Sequence, residues 1–262
     1  QSQWDALPNV AHLSYSDSNV KDDGYALGLY GTFGKDLIHL VEMGITRTRI
    51  NYLDGFELGQ TDLVAAYSHY GLRGSARAGG HLLFSNDPFS DGGKILFGGA
   101  NVYEVGVWSL GAEGAWSTYP DYDGGLSVAQ IAPNAGFTVG NEAQTRFLGV
   151  SVRGYLIRLS EEIGLGETEF LSGEATVSFT TGPLTVSGFA WEGQQAFAVR
   201  NGGFLVYNVA ELHKGGYGGG FRWVLTPRSA LSAGVYFEDF QDLDLSGDAR
   251  SRSFTASFGI TL

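Results

Sequence analysis

From Ser253 to Leu262 the chain alternates strictly, with Phe254, Ala256, Phe258, Ile260 and Leu262 on one parity and Ser253, Thr255, Ser257, Gly259 and Thr261 on the other. A period of two held over ten residues is the pattern of a strand with one apolar face, and a helix does not produce it. The same period recurs upstream. Tyr25, Leu27, Leu29, Gly31 and Phe33 alternate with Ala26, Gly28, Tyr30 and Thr32, and Ala76, Ala78, Gly80, Leu82 and Phe84 alternate with Ser75, Arg77, Gly79, His81 and Leu83. Later runs are Leu171 to Phe179, Tyr217 to Leu225 and Leu231 to Phe237.

Applied to the whole chain, this period predicts about fourteen strands, at 9–16, 25–34, 37–52, 57–70, 73–85, 94–104, 106–119, 126–139, 145–158, 168–180, 184–191, 206–225, 229–239 and 251–262. Both faces are partly apolar at 9–16, 94–119 and 184–209, so twelve strands is the alternative. The 40 Gly against 6 Pro suit many strands joined by tight turns rather than a Pro-rich disordered chain. No repeat of solenoid or propeller length and no linker divides the chain, so residues 1–262 read as one all-β domain. The chain has no cysteine, which removes disulfides and thiolate metal sites.

Alternation alone does not say which face is inside: a soluble barrel turns its apolar face in, a membrane barrel turns it out. Three features favour the membrane. The less apolar face is mostly Gly, Ser, Ala and Thr rather than the Lys and Glu of a water-facing wall. Long connectors (17–24, 53–56, 86–93, 120–125, 159–167, 192–205, 240–250) alternate with short ones, as external loops do with periplasmic turns. The long connectors also hold 15 Asp or Glu against 3 Lys or Arg, which equals the entire net charge of −12. That acidity argues against nucleic acid as a partner, because phosphate binding needs clustered Lys and Arg. No stretch approaches the ~18 apolar residues of a spanning helix, so a membrane crossing must be made by strands in a closed sheet. The chain opens on Gln1 with no basic, apolar leader, so a secretion signal is expected to have been removed already.

The segment Phe254-Thr-Ala-Ser-Phe-Gly-Ile-Thr-Leu262 resembles the C-terminal signature strand of bacterial outer-membrane porins. Members of that family typically end in an aromatic residue where this chain has Leu262. The resemblance implies an up-and-down antiparallel transmembrane barrel in the bacterial outer membrane, among lipids and lipopolysaccharide, and passive diffusion of small polar solutes.

Barrels of about eight strands fill their own interior and those of 16–18 leave a channel, so about fourteen predicts a modest lumen. The register places Glu42, Asp62, Glu113 and Glu174 against Arg77, Arg153, Lys214 and Arg222 on the inward face, with His81 beside Asp62. Four acids against four bases predict weak charge selectivity along a polar pore lining. The alternatives are a structural barrel plugged by its own 192–205 segment or by a partner protein, and an outer-membrane hydrolase. Of the five histidines (His12, His39, His69, His81, His213), His12-Leu13-Ser14 has the His-x-Ser spacing of outer-membrane phospholipases but lacks the surrounding pattern, and it reads as a polar strand face. No catalytic set, cofactor or metal site is therefore expected. Asp121-Tyr-Asp-Gly-Gly125 and the 242–248 segment lack full calcium-loop spacing, and Gly215–Gly220 lacks the Lys and helix of a phosphate loop. Asp22, Asp23, Asp121, Asp123, Glu161, Glu162, Asp242 and Asp244 are expected on one acidic rim, where divalent cations would bridge them to lipid phosphates.

Overall fold

The computed structural model describes residues 2–36, 38–120, 122, 125–141, 145–209, 211–241 and 247–262. The strands run in chain order as β1 (Ser2–Ser16), β2 (Lys21–Lys35), β3 (His39–Tyr52), β4 (Glu57–Tyr70), β5 (Gly74–Ser85), β6 (Lys94–Glu104), β7 (Trp108–Tyr119) and β8 (Leu126–Gly140). They continue as β9 (Arg146–Leu159), β10 (Glu169–Thr181), β11 (Leu184–Gln195), the short β12 (Val199–Arg200) and β13 (Leu205–Val206), then β14 (Leu212–Thr226), β15 (Ser229–Gln241) and β16 (Asp248–Thr261). All but β12 and β13 form one closed antiparallel barrel of fourteen strands. Sequence neighbours pair throughout, β11 pairs with β14, and β1 pairs with β16 from Asp5↔Thr261 to Ser16↔Arg250. Closure leaves no unpaired edge, which is the condition for a sheet to stand in hydrocarbon.

The apolar parity faces outward. Leu27, Leu29, Ile45, Leu156, Val177, Phe221, Phe254 and Phe258 are all exposed on the outer face, where Leu29 pairs with Ile45 and Leu27 with Val10. Trp4, Trp108 and Trp223 are exposed near one end, and Phe84 and Trp116 near the other, as in the two aromatic girdles of a membrane barrel. The end that carries both chain termini has tight connectors at 36–38, 71–73, 105–107, 141–145, 182–183 and 227–228. The opposite end, the loop side, carries 86–93, 160–168 and 196–211, the three longest connectors.

Two expectations need correction. The strand predicted over 206–225 begins only at Leu212, because residues 205–206 pair with 199–200 in a separate small hairpin. The hairpin tip is a 3-10 turn, Asn201–Gly203, with positive φ at Asn201 (50°), Gly202 (60°) and Gly203 (94°). The interior is also not polar throughout. On the loop side, inward Leu83, Ile95, Tyr119, Leu126, Val128, Ile157 and Phe170 pack with Ala196, Phe197, Ala198, Val199 and Val206 of the 196–211 segment. The alternation counts Leu83 with the less apolar face and, at 94–119, leaves both faces partly apolar. The apolar character of these inward wall residues is explained by a segment of the chain buried against them.

Candidate functional site: the occupied lumen

The hairpin crosses the barrel and is held at many points of the wall. Gln130 on β8 bonds both backbone groups of Val199, at 2.6 and 2.9 Å. His81 on β5 meets the Gly203 carbonyl through Nδ1 at 2.9 Å and Asp62 through Nε2 at 3.0 Å. Arg200 forms an ion pair with Glu174 on β10. Asn208 donates to Gln60 on β4, and Gln195 to Ser172 on β10 at 2.7 Å. At the base of the segment Lys21 and Glu211 form a buried ion pair at 2.6 Å. A buried polar group costs a few kcal/mol unless paired, so this segment is built to lie inside rather than outside the barrel.

Tyr207 completes the anchorage. Its hydroxyl donates to Glu238 Oε1 at 2.7 Å, and its ring stacks on His213 at 4.1 Å. Burial, with Glu238 beside it, pushes the Tyr207 hydroxyl well above its ordinary pKa, so it remains a donor. Phe197 is fully buried with a positive φ of 53°, and its ring lies edge-on to Tyr119 at 5.0 Å. A bulky residue in that region is strained, and packing around it must hold it there.

The residues expected to line a pore are placed as follows. Glu42 and Arg77 pair at 3.0 Å, Tyr30 donates to Glu42, and the Arg77 guanidinium lies over the rings of Phe97 and Phe204 (5.7 and 5.2 Å). Glu113 and Arg153 form a bidentate pair at 2.9 and 3.1 Å. Asp62 with His81, and Glu174, reach the hairpin as described above. Arg222 borders a cavity of roughly 480 Å3 on the terminus side with Asn9, Thr185, Ser187, Ser232 and Thr255. A second cavity of roughly 210 Å3 lies under the hairpin tip beside Arg77, Ser68 and Glu113. Lys214 departs from the expected face. A bulge between His213 and Gly215 turns His213 inward, and Lys214 instead bonds the exposed Asp248 at 2.5 Å.

Other motifs resolve plainly. His12 is exposed, in register with Tyr25 and Phe254 on the outer face. His39 and His69 are exposed at the terminus side, His39 bonding Tyr67 at 2.6 Å. In the Gly215–Gly220 run, a Cβ on Gly216 would lie 2.6 Å from Trp191 Nε1 and 2.9 Å from the Tyr236 hydroxyl, so that glycine makes room for inward aromatic groups. Asp121, Asp123, Asp242 and Asp244 lie outside the described residues. Among the described residues no three metal-ligating side chains of His, Cys, Asp or Glu come together.

Arg200, Tyr207, Glu211, His213 and Glu238 were not singled out from sequence, because 192–205 reads as an external connector and 206–225 as a strand. A signal was available. The connector holds two apolar runs, Ala196–Val199 and Phe204–Tyr207, around Asn-Gly-Gly, which is hairpin chemistry and too apolar for a solvated loop.

A closed fourteen-strand barrel with its apolar face outward is the architecture of outer-membrane channel proteins. Solved structures of that class share it. The Acinetobacter baumannii outer membrane protein Omp33 superposes with a TM-score of 0.54 at 7% identity, covering 99% of both chains. The CymD monoaromatic hydrocarbon channel gives 0.62 at 7% identity, over 100% of this chain and 88% of that one. The P. putida toluene transporter TodX gives 0.54 at 10%, over 99% and 89%. No protein-family model and no curated protein sequence matches the chain. At such identities the likeness concerns the fold.

Proposed function

We propose that this chain is an outer-membrane channel for small polar solutes, with both termini on the periplasmic side, whose passage is controlled by the β12–β13 hairpin. The observation that carries this reading is the hairpin itself, an insertion between two adjacent barrel strands that occupies the loop-side lumen through paired polar contacts. Because β11 and β14 pair directly with each other, the hairpin can leave without breaking the barrel ladder. The ion-paired inner wall and the terminus-side cavity beside Arg222 support polar cargo. The hairpin takes up the space a partner protein would fill, which supports the chain's own segment as the plug. The outward position of His12 supports a channel over a hydrolase.

Single-channel recording in planar bilayers tests the proposal. Replacing residues 197–209 with a short Gly-Ser turn is expected to raise conductance well above that of the native chain. A correctly folded deletion variant that never conducts would remove the channel reading. One observation favours a second reading, passage of hydrophobic solutes: the loop-side interior is apolar, and two of the similar structures are named for hydrocarbon or toluene transport. Vesicles loaded with protein separate the two readings, since swelling in small sugars supports the first and toluene uptake without swelling supports the second.

A further inference from the structure

The guanidinium of Arg200 sits among three aromatic rings, 5.1 Å from the centroid of Trp191, 5.6 Å from Tyr155 and 5.8 Å from Tyr207. Glu174 closes the set as its ion-pair partner. Aromatic faces around a desolvated cation, with a carboxylate at hand, are the chemistry that recognises organic cations. Tyr207 belongs to the same connector segment as Arg200, but the rest of this cage belongs to the barrel wall. Arg153, Glu174, Trp191, Gly216 and Glu238 stand in one cross-strand register over β9, β10, β11, β14 and β15, and Tyr155 lies two residues along β9.

Tyr155 and Trp191 are buried, and the Trp191 indole is fixed by donating to the Tyr236 hydroxyl at 2.9 Å. Arg153 is already engaged by Glu113. With the hairpin withdrawn, the wall therefore keeps two aromatic faces and the carboxylate of Glu174, which loses its Arg200 partner, while Glu238 keeps His213 of β14 beside it.

Resting on the channel reading above, we infer that the lumen contains a binding site for small organic cations, guanidinium or alkylammonium compounds, and that Arg200 of the hairpin is its built-in occupant. Cargo of that class and Arg200 compete for one cage. A permeating cation that enters from the terminus side thereby favours withdrawal of the hairpin. A ligand shifts such an equilibrium only by its differential affinity for the open cage, and the closed fraction lowers its apparent affinity in proportion.

The test is calorimetric titration of the purified, detergent-solubilised full chain with ethylguanidinium and with tetramethylammonium, using potassium as the control cation. Arg200→Ala is expected to bind the organic cations at least about tenfold more tightly than the native chain, because the occupant is gone. Adding Glu174→Gln or Trp191→Leu in that background is expected to abolish the gain. Equal affinity in the native chain and Arg200→Ala, or a gain untouched by Glu174→Gln, overturns the proposal. If Arg200→Ala does not fold, the hairpin-deleted barrel keeps Tyr155, Glu174 and Trp191 and is titrated in its place with the same criteria. Conductance separates this inference from the one beneath it. A conducting deletion variant that shows no preference for organic cations overturns the cage alone. Cation binding without any conductance overturns the channel alone.

Discussion

At Gly203 the backbone has a φ of +94°, and a Cβ there would lie 2.3 Å from the Phe97 ring. Its carbonyl is the group that His81 holds. A side chain at this position has to strain the turn and displace a buried ring, at a cost of about 1–3 kcal/mol in the docked state only. Gly203→Val is therefore expected to leave the barrel intact and raise the undocked fraction of the hairpin by roughly 5- to 150-fold. Trypsin reports it: Arg200, buried in the native chain, becomes a cleavage site that yields fragments ending and starting at 200 and 201. Unchanged resistance at Arg200 with native conductance would show that the turn is not under this constraint. Lys21 illustrates the same division of labour, since its buried partner Glu211 belongs to the connector and its backbone to the barrel.

At the scale of a strand, parity decides what a substitution does. Leu29 on β2 is exposed on the outer face near mid-strand, and Ser187 on β11 borders the terminus-side cavity. Leu29→Arg is expected to destabilise the barrel in lipid by about 2–4 kcal/mol, while an arginine facing the lumen costs little. Ser187→Arg should accordingly keep native stability and shift the reversal potential of the conducting, hairpin-deleted barrel toward anions. Urea titration in vesicles and bi-ionic recording check the two halves, and equal destabilisation by both changes would contradict the assigned faces. The strands themselves were legible because alternation is a local property: Phe254 to Ile260 and Leu171 to Phe179 state their pleat without help from the rest of the chain. The period places Leu83 on the less apolar face, yet its purpose is not legible there, because it depends on Phe197 and Val199, more than a hundred residues away. The cage around Arg200 was hidden for the same reason. It combines residues from three wall strands and a connector, and no spacing along the sequence announces such a meeting. The bulge at Lys214 likewise leaves no mark in the alternation, and it reversed one lining residue.

Across the whole molecule the chain carries −12, and among the described residues Asp87, Asp91, Glu161, Glu162 and Glu167 lie in connectors on the loop side. Among the described rim residues, Glu162 accepts from the backbone of Gly164 and Gly166, and Asp23 from Asn51 at 2.6 Å. We propose that divalent cations bridge this rim to lipopolysaccharide phosphates, since hard cations take oxygen ligands from both. In membranes containing lipopolysaccharide, a chelator is then expected to lower the melting temperature of the native chain. It should do so less when Asp22, Asp23, Glu161 and Glu162 are changed to amides. No shift on chelation, or an equal shift in the amide variant, would eliminate the bridging. A last consequence belongs to the pairing of β1 with β16, where the Thr261 hydroxyl reaches Asp5 across a sequence separation of 256. Every other contact around the ring joins strands that are neighbours along the chain or flank one connector. Folding time is dominated by pairings remote in sequence, and here the whole of that remoteness is concentrated in one seam. Cutting the ring at any turn and joining the old ends would only move the seam elsewhere. A backbone closed by a linker between the start of β1 and the end of β16 would instead let the wall assemble from hairpins alone.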